Sequence, residues 1–230
     1  VWQTLRTELH PLGLEIVTVA LDINPDDAYK FIDRAAPDHP SLIDSAHLVD
    51  ELLGVVNVPN GVWIDENGTL VRPAEPSSPG RNKELDSLLS IDTSTLPPHL
   101  ADTLREARKI KLDHESYVLA LRDWVANGAA SRYALAPDEV VRRSQPRPLD
   151  VATAAAAFEL GQTLHRRGDA DDAVRWFRKA HRLQPDNWTY KRQAWSLIDP
   201  LQGPTDTYDG HWAKDIKEIG AENYYPPLDL

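Results

Sequence analysis

Trp2, Leu5 and Leu9 fall at helical spacing and Pro11 closes the segment, so residues 1–12 read as the end of a helix. Residues 14–21 follow as a nearly continuous apolar run rich in β-branched side chains, the pattern of a strand covered on both faces in a parallel sheet. Asn24-Pro25-Asp26-Asp27 is a helix start: Asn24 caps, Pro25 takes the first helical position, and two acids face the positive end of the helix dipole. That helix runs to about Arg34, and residues 45–53 predict a second short one ended by Gly54. Val62, Trp63 and Ile64, then Thr69, Leu70 and Val71, are two β-prone runs joined by Asp65-Glu66-Asn67-Gly68, which predicts a hairpin. Pro59 precedes it. Proline lacks an N–H and has a fixed φ, so it is tolerated at a strand's first residue or in a tight turn, where its peptide bond is free to be cis or trans, and Pro59 is placed at the strand entrance. The alternation of helix and strand implies an α/β layer fold.

Prolines and serines between Pro73 and Gly80 break the composition and mark a boundary. The reading is an α/β domain over 1–75, a linker over 76–96 and an all-helical domain over 97–230. Leu100, Leu104, Ala107, Ile110, His114, Tyr117, Leu121 and Trp124 are three or four apart, one face of a single long amphipathic helix. A short helix over 137–143 ends at Gln145-Pro146-Arg147-Pro148. In the next stretch Ala157, Leu160, Gly161, Leu164, Ala173, Phe177, Ala180 and Pro185 match the offsets of a tetratricopeptide repeat over 154–187. Its helices are predicted at 154–166 and 170–182 with Gly168 at the turn, and 187–198 reads as a capping helix. Tyr224-Tyr225-Pro226-Pro227 carries no decodable role.

The net charge is −11, and it is uneven: residues 1–80 carry 4 basic and 13 acidic side chains. Such a segment repels phosphate backbones, which argues against nucleic acid as a partner. No apolar run is long enough for a membrane span. The chain has no cysteine, hence no disulfide, thiolate metal site or thiol nucleophile of its own. It opens on Val1 and has no methionine, so the compartment stays open.

Residues 1–75 resemble the C-terminal two-thirds of a redoxin domain, the thioredoxin-like group of TlpA- and ResA-type thiol-disulfide oxidoreductases and, more distantly, peroxiredoxins. The resemblance is carried by T-E-L-H-P-L-G-L-E-I-V-T-V-A-L-D, by the helix leading into L-L-G-V-V-N-V-P, and by N-G-V-W-I-D-E-N-G-T-L-V. It implies that Pro59 is the family's cis-proline and that Val58 offers its N–H and C=O to an extended substrate segment by strand addition. It also implies a strand and a Cys-x-x-Cys upstream of Val1, and a substrate that is a protein or a small disulfide. Asn60-Gly61 departs from the hydroxyl residue often found after that proline.

Asp22, at the end of the first strand, is a candidate proton relay or a capping, solvated carboxylate. Phe158, Gln162 and His165 are expected to line the repeat's groove, either for a protein partner or for packing on the α/β domain. Trp63 reads as core, and His165 and His181 as surface residues. Asp38, His39, Asp44 and His47 fit no standard metal spacing, and no cofactor is implied. Three functions remain: thiol-disulfide exchange by a longer protein, a redox-inactive interaction platform, and a peroxidase dependent on an upstream cysteine.

Overall fold

A computed structural model of the chain describes residues 1–81 and 83–230; Asn82, within the stretch read as a linker, lies outside them. The first helix, α1 (Trp2–Leu9), buries Leu5 and Leu9 and tightens into a 3₁₀ turn at His10–Leu12. Strand β1 covers only Thr18–Ala20. The longer, fully covered strand expected over 14–21 is therefore corrected: Val17 is 52% exposed, and β1 has a ladder along one edge only. Helix α2 (Pro25–Ala35) begins as predicted, with the Asn24 side chain accepting the Asp26 N–H.

The partner of β1 is β2 (Ser41–Ile43), parallel to it and in register Thr18 opposite Ser41. The sequence reading had no strand there, because three residues after Pro40 are too few to show a period. Helix α3 (Leu48–Leu53) starts later than expected, after His47 in the left-handed region, and Gly54 ends it at φ +72°. The hairpin pairs β3 (Asn60–Ile64) with β4 (Leu70–Pro76) antiparallel, and the Val58–Pro59 bond just before it is cis. Among the described residues each sheet has two strands, and no ladder joins them.

Residues 76–96 contain α4 (Lys83–Ser90) rather than a uniformly irregular link. The single long helix expected over 100–124 is two: α5 (Pro98–Ala107) and α6 (His114–Asn127). Asp113 restarts the second by accepting the Ser116 N–H. The two halves also serve different neighbours: α5 lies against α11 (Trp212–Ile219), whereas α6 turns Tyr117, Ala120 and Leu121 toward Trp63.

Helix α7 (Pro137–Arg143) leads to the repeat pair, α8 (Leu149–Arg167) and α9 (Ala170–Leu183), with Gly168 at φ +88° between them. Gly161 is required by close approach, since a Cβ there would stand 2.7 Å from the Phe177 ring. Helix α10 (Trp188–Ser196), capped by Asn187, lies next to α9. Two cores result. One gathers Leu5, Leu9, Ile16, Trp63 and Val71 with α6; the other packs Ile23 among the rings and alanines of α8, α9 and α10.

Candidate functional site

The corner at Val58–Pro59 is held from several directions. Upstream, the Val56 carbonyl accepts the Thr189 N–H of α10 at 3.1 Å. Buried Asn57 uses its Oδ1 to accept the Val58 N–H at 2.9 Å and its Nδ2 to donate to the Tyr224 carbonyl at 3.1 Å. The Val58 carbonyl accepts the Tyr225 hydroxyl at 2.6 Å. Downstream, the Pro59 carbonyl accepts the Ser77 N–H at 3.2 Å. Both backbone polar groups of Val58 are thus already engaged by the chain itself, although its side chain is 39% exposed. Strand addition here first requires those partners to leave.

Gly61 after the corner has a steric cause. A Cβ would sit 2.6 Å from Ser77 Oγ and 3.0 Å from the Tyr117 hydroxyl, so no larger residue fits without displacement. Trp63 is core, as expected: its Nε1 donates to the Tyr117 hydroxyl at 3.2 Å and its ring stacks on Trp124 at 5.0 Å. Arg72, which drew no notice in the sequence, lies over the same indole and is almost fully buried. Its guanidinium is bidentate to Glu75 and also donates to the carbonyls of Tyr133 and Asp229. A buried charge needs that many acceptors.

The repeat face is occupied as well. Phe158 stacks on Tyr190 at 4.1 Å and meets His47 edge-on at 5.0 Å, while Gln162 reaches the Ala46 carbonyl at 3.4 Å. Arg166 donates to the Ser45 carbonyl at 3.4 Å. Of the predicted groove residues, Phe158 and Gln162 are therefore buried under the 45–47 loop, and His165 remains half-buried beside them.

His47 lies between two acceptors, Asp50 Oδ2 at 3.0 Å and Gln193 Oε1 at 3.3 Å. The Ile23 N–H also donates to that Oε1, which fixes the amide's orientation. His47 and Asp50 thus form a buried, hydrogen-bonded pair that ties α3 to α10, and burial pushes the Asp50 carboxyl up. Neither residue had been linked to the helical region from sequence, because the contact spans 146 positions.

Asp22 follows β1 and is half-buried; burial, then Asp27, pushes its carboxyl up. His181 corrects the sequence reading. Its ring lies between Trp195 and Tyr208 with Nε2 sealed from solvent, and burial depresses its pKa to about 3. Asp38 and His39 bind Gln3, and Asp44 accepts the Val49 N–H at 2.6 Å. Among the described residues no group of three or more His, Asp or Glu could hold a metal ion.

No helix among the described residues is long and apolar enough to cross a membrane. Comparison with known proteins finds no match among curated proteins and none among solved structures. A family model of the tetratricopeptide repeat matches residues 154–187, the α8–α9 pair and the turn into α10. The chain therefore carries a mixed α/β region followed by a helical region with a tetratricopeptide repeat, a protein-interaction module of which Phe158 and Gln162 here contact His47 and Ala46 of the chain's own α/β region.

Proposed function

We propose that the α/β region is a thioredoxin-like unit, and that a longer protein containing it carries out thiol-disulfide exchange on a protein or small disulfide. The observation that carries this reading is the arrangement around Pro59. A helix, two parallel strands with a helix between them, and a short helix lead to a proline corner that opens an antiparallel hairpin. Val58 stands part-exposed at that corner. The thiolate must come from outside these 230 residues, none of which is a cysteine. The corner's part is to align an extended substrate segment through the Val58 backbone, with Asp22 as a candidate carboxylate for proton transfer. The repeat's part is to hold the α/β region through Phe158 and Gln162, with any partner protein engaging the faces that remain open. The domain limits that go with this reading are 1–75 and 97–230.

A second reading, a redox-inactive interaction platform, is favoured by the engagement of both Val58 polar groups. Insulin reduction by the full-length gene product, with dithiothreitol as reductant, separates the two. Turnover well above the free dithiol is the expected result. A rate equal to the free dithiol overturns the exchange reading and leaves the platform.

A further inference from the structure

The last residues of the chain form a strap between the two cores. Tyr224 is buried edge-on against Trp188 at 4.7 Å, in the helical core. Five positions on, the Asp229 carbonyl accepts from buried Arg72 at 2.6 Å, its carboxylate pairs with Arg143 at 2.8 Å, and Leu228 packs against the α/β core. Between these anchors the segment passes the Val58 carbonyl, where the Tyr225 hydroxyl donates. It then forms one wall of a cleft of about 490 Å³ between α3, β4 and the α7–α8 connection.

The geometry points to an autoinhibitory role: the 225–229 strap occupies the Val58 carbonyl in cis through the Tyr225 hydroxyl, and an incoming extended segment displaces it. Chemistry at the contact supports displacement. Pro226 and Pro227 have no N–H, so this stretch cannot extend a ladder along the corner, and a single phenol hydroxyl fills the carbonyl that strand addition would use. An incoming backbone N–H replaces that hydroxyl one for one. Two prolines also keep the strap extended when released, so re-seating costs little chain entropy. Tethered beside its seat, the strap acts at a millimolar-scale effective concentration, which makes it a competitor for weak ligands and not for strong ones.

This inference rests on Val58–Pro59 being the substrate corner, but its test needs no thiol, so its failure and a failure of turnover are distinguishable. The probe is a fluorescein-labelled peptide Tyr-Pro-Pro-Leu-Asp-Leu, the sequence of residues 225–230, titrated into the whole chain and into a chain ending at Tyr224, with anisotropy as the readout. The shortened chain, checked for folding by its tryptophan emission, is expected to bind at least tenfold more tightly than the whole chain. A peptide with Phe in place of Tyr is expected to bind it several-fold less well. Equal binding to both chains, or none to the folded shortened chain, overturns the proposal. If the shortened chain does not fold, Y225F combined with D229N in the whole chain keeps every buried ring and is expected to raise peptide binding over the native protein. Unchanged binding then overturns it.

Discussion

The repeat pair and the α/β region are stabilised in opposite ways. Helices α8 and α9 are 19 and 14 residues long, satisfy their backbone internally and pack through Ala157, Gly161, Ala173, Phe177 and Ala180, all within one 34-residue period. The α/β region has two separate two-stranded sheets, and β1 and β2 are three residues each. Two-stranded elements of that size are marginal by themselves. Their core is completed from elsewhere: Trp63 leans on Tyr117 and Trp124, the Ile23 N–H on Gln193, and Asn57 on the Tyr224 carbonyl. A repeat holds itself by near-neighbour contacts, whereas this α/β region is stable through what the helical region lends it.

Phe158 sits where the two modes meet, so F158A tests the comparison hardest. It removes a ring that touches Phe177 and Tyr190 inside the helical core and His47 across the boundary. A loss of about 3–5 kcal/mol is expected from urea unfolding. The dependence described above also predicts that the α/β region melts first in this variant, giving two transitions where the native chain gives one. A single transition with an undiminished midpoint would break the comparison.

A smaller effect, confined to the α/β side, is expected from G61A. Its new Cβ collides with Ser77 and the Tyr117 hydroxyl, and overpacking of this kind costs about 2 kcal/mol. The thermal midpoint should fall while the repeat's helical circular dichroism survives to higher temperature. Loss of both signals together would mean that the repeat depends on the α/β region as much as the reverse.

The smallest effect concerns the helical side and is read by pH. His181 has a folded pKa near 3 against an ordinary 6.5, so as pH falls below about 6.5 the unfolded chain takes up the proton first. Stability present above that point is lost progressively down to about pH 3. Between pH 7 and 5.5 the native chain should lose about 1 kcal/mol more than H181L does. Equal losses would show that the ring protonates freely in the folded state.

The ease with which each region is read from sequence follows the same division. Ala157, Gly161, Phe177 and Pro185 announce the repeat because its contacts recur at fixed offsets, and the Asn24-Pro25 helix start is legible because a cap needs only adjacent residues. Strand β2 was illegible: Ser41, Leu42 and Ile43 become a strand only by pairing with residues 23 positions earlier. The break between α5 and α6 was hidden by an apolar period that runs on through two faces serving two cores. At the candidate site, the Pro59 corner follows from local rules, and Val58 was named through the family resemblance. The hydroxyl that occupies the Val58 carbonyl could not be named from sequence, because Tyr225 lies 167 positions away. His181 misled for the same reason, as Tyr208 and Trp195 cover it from other segments.

By itself, then, the sequence determined what depends on a few neighbouring residues: the caps, the hairpin turn, the proline corner and the repeat. Backbone propensities and side-chain periods act over one to ten positions and need no third body. The tertiary structure alone decided that Gln162 of the repeat meets the 45–47 loop, that buried Arg72 donates to the Asp229 carbonyl, and that the Tyr225 hydroxyl reaches Val58. Those outcomes turn on burying particular polar groups with a partner apiece, a condition that only the assembled chain can satisfy.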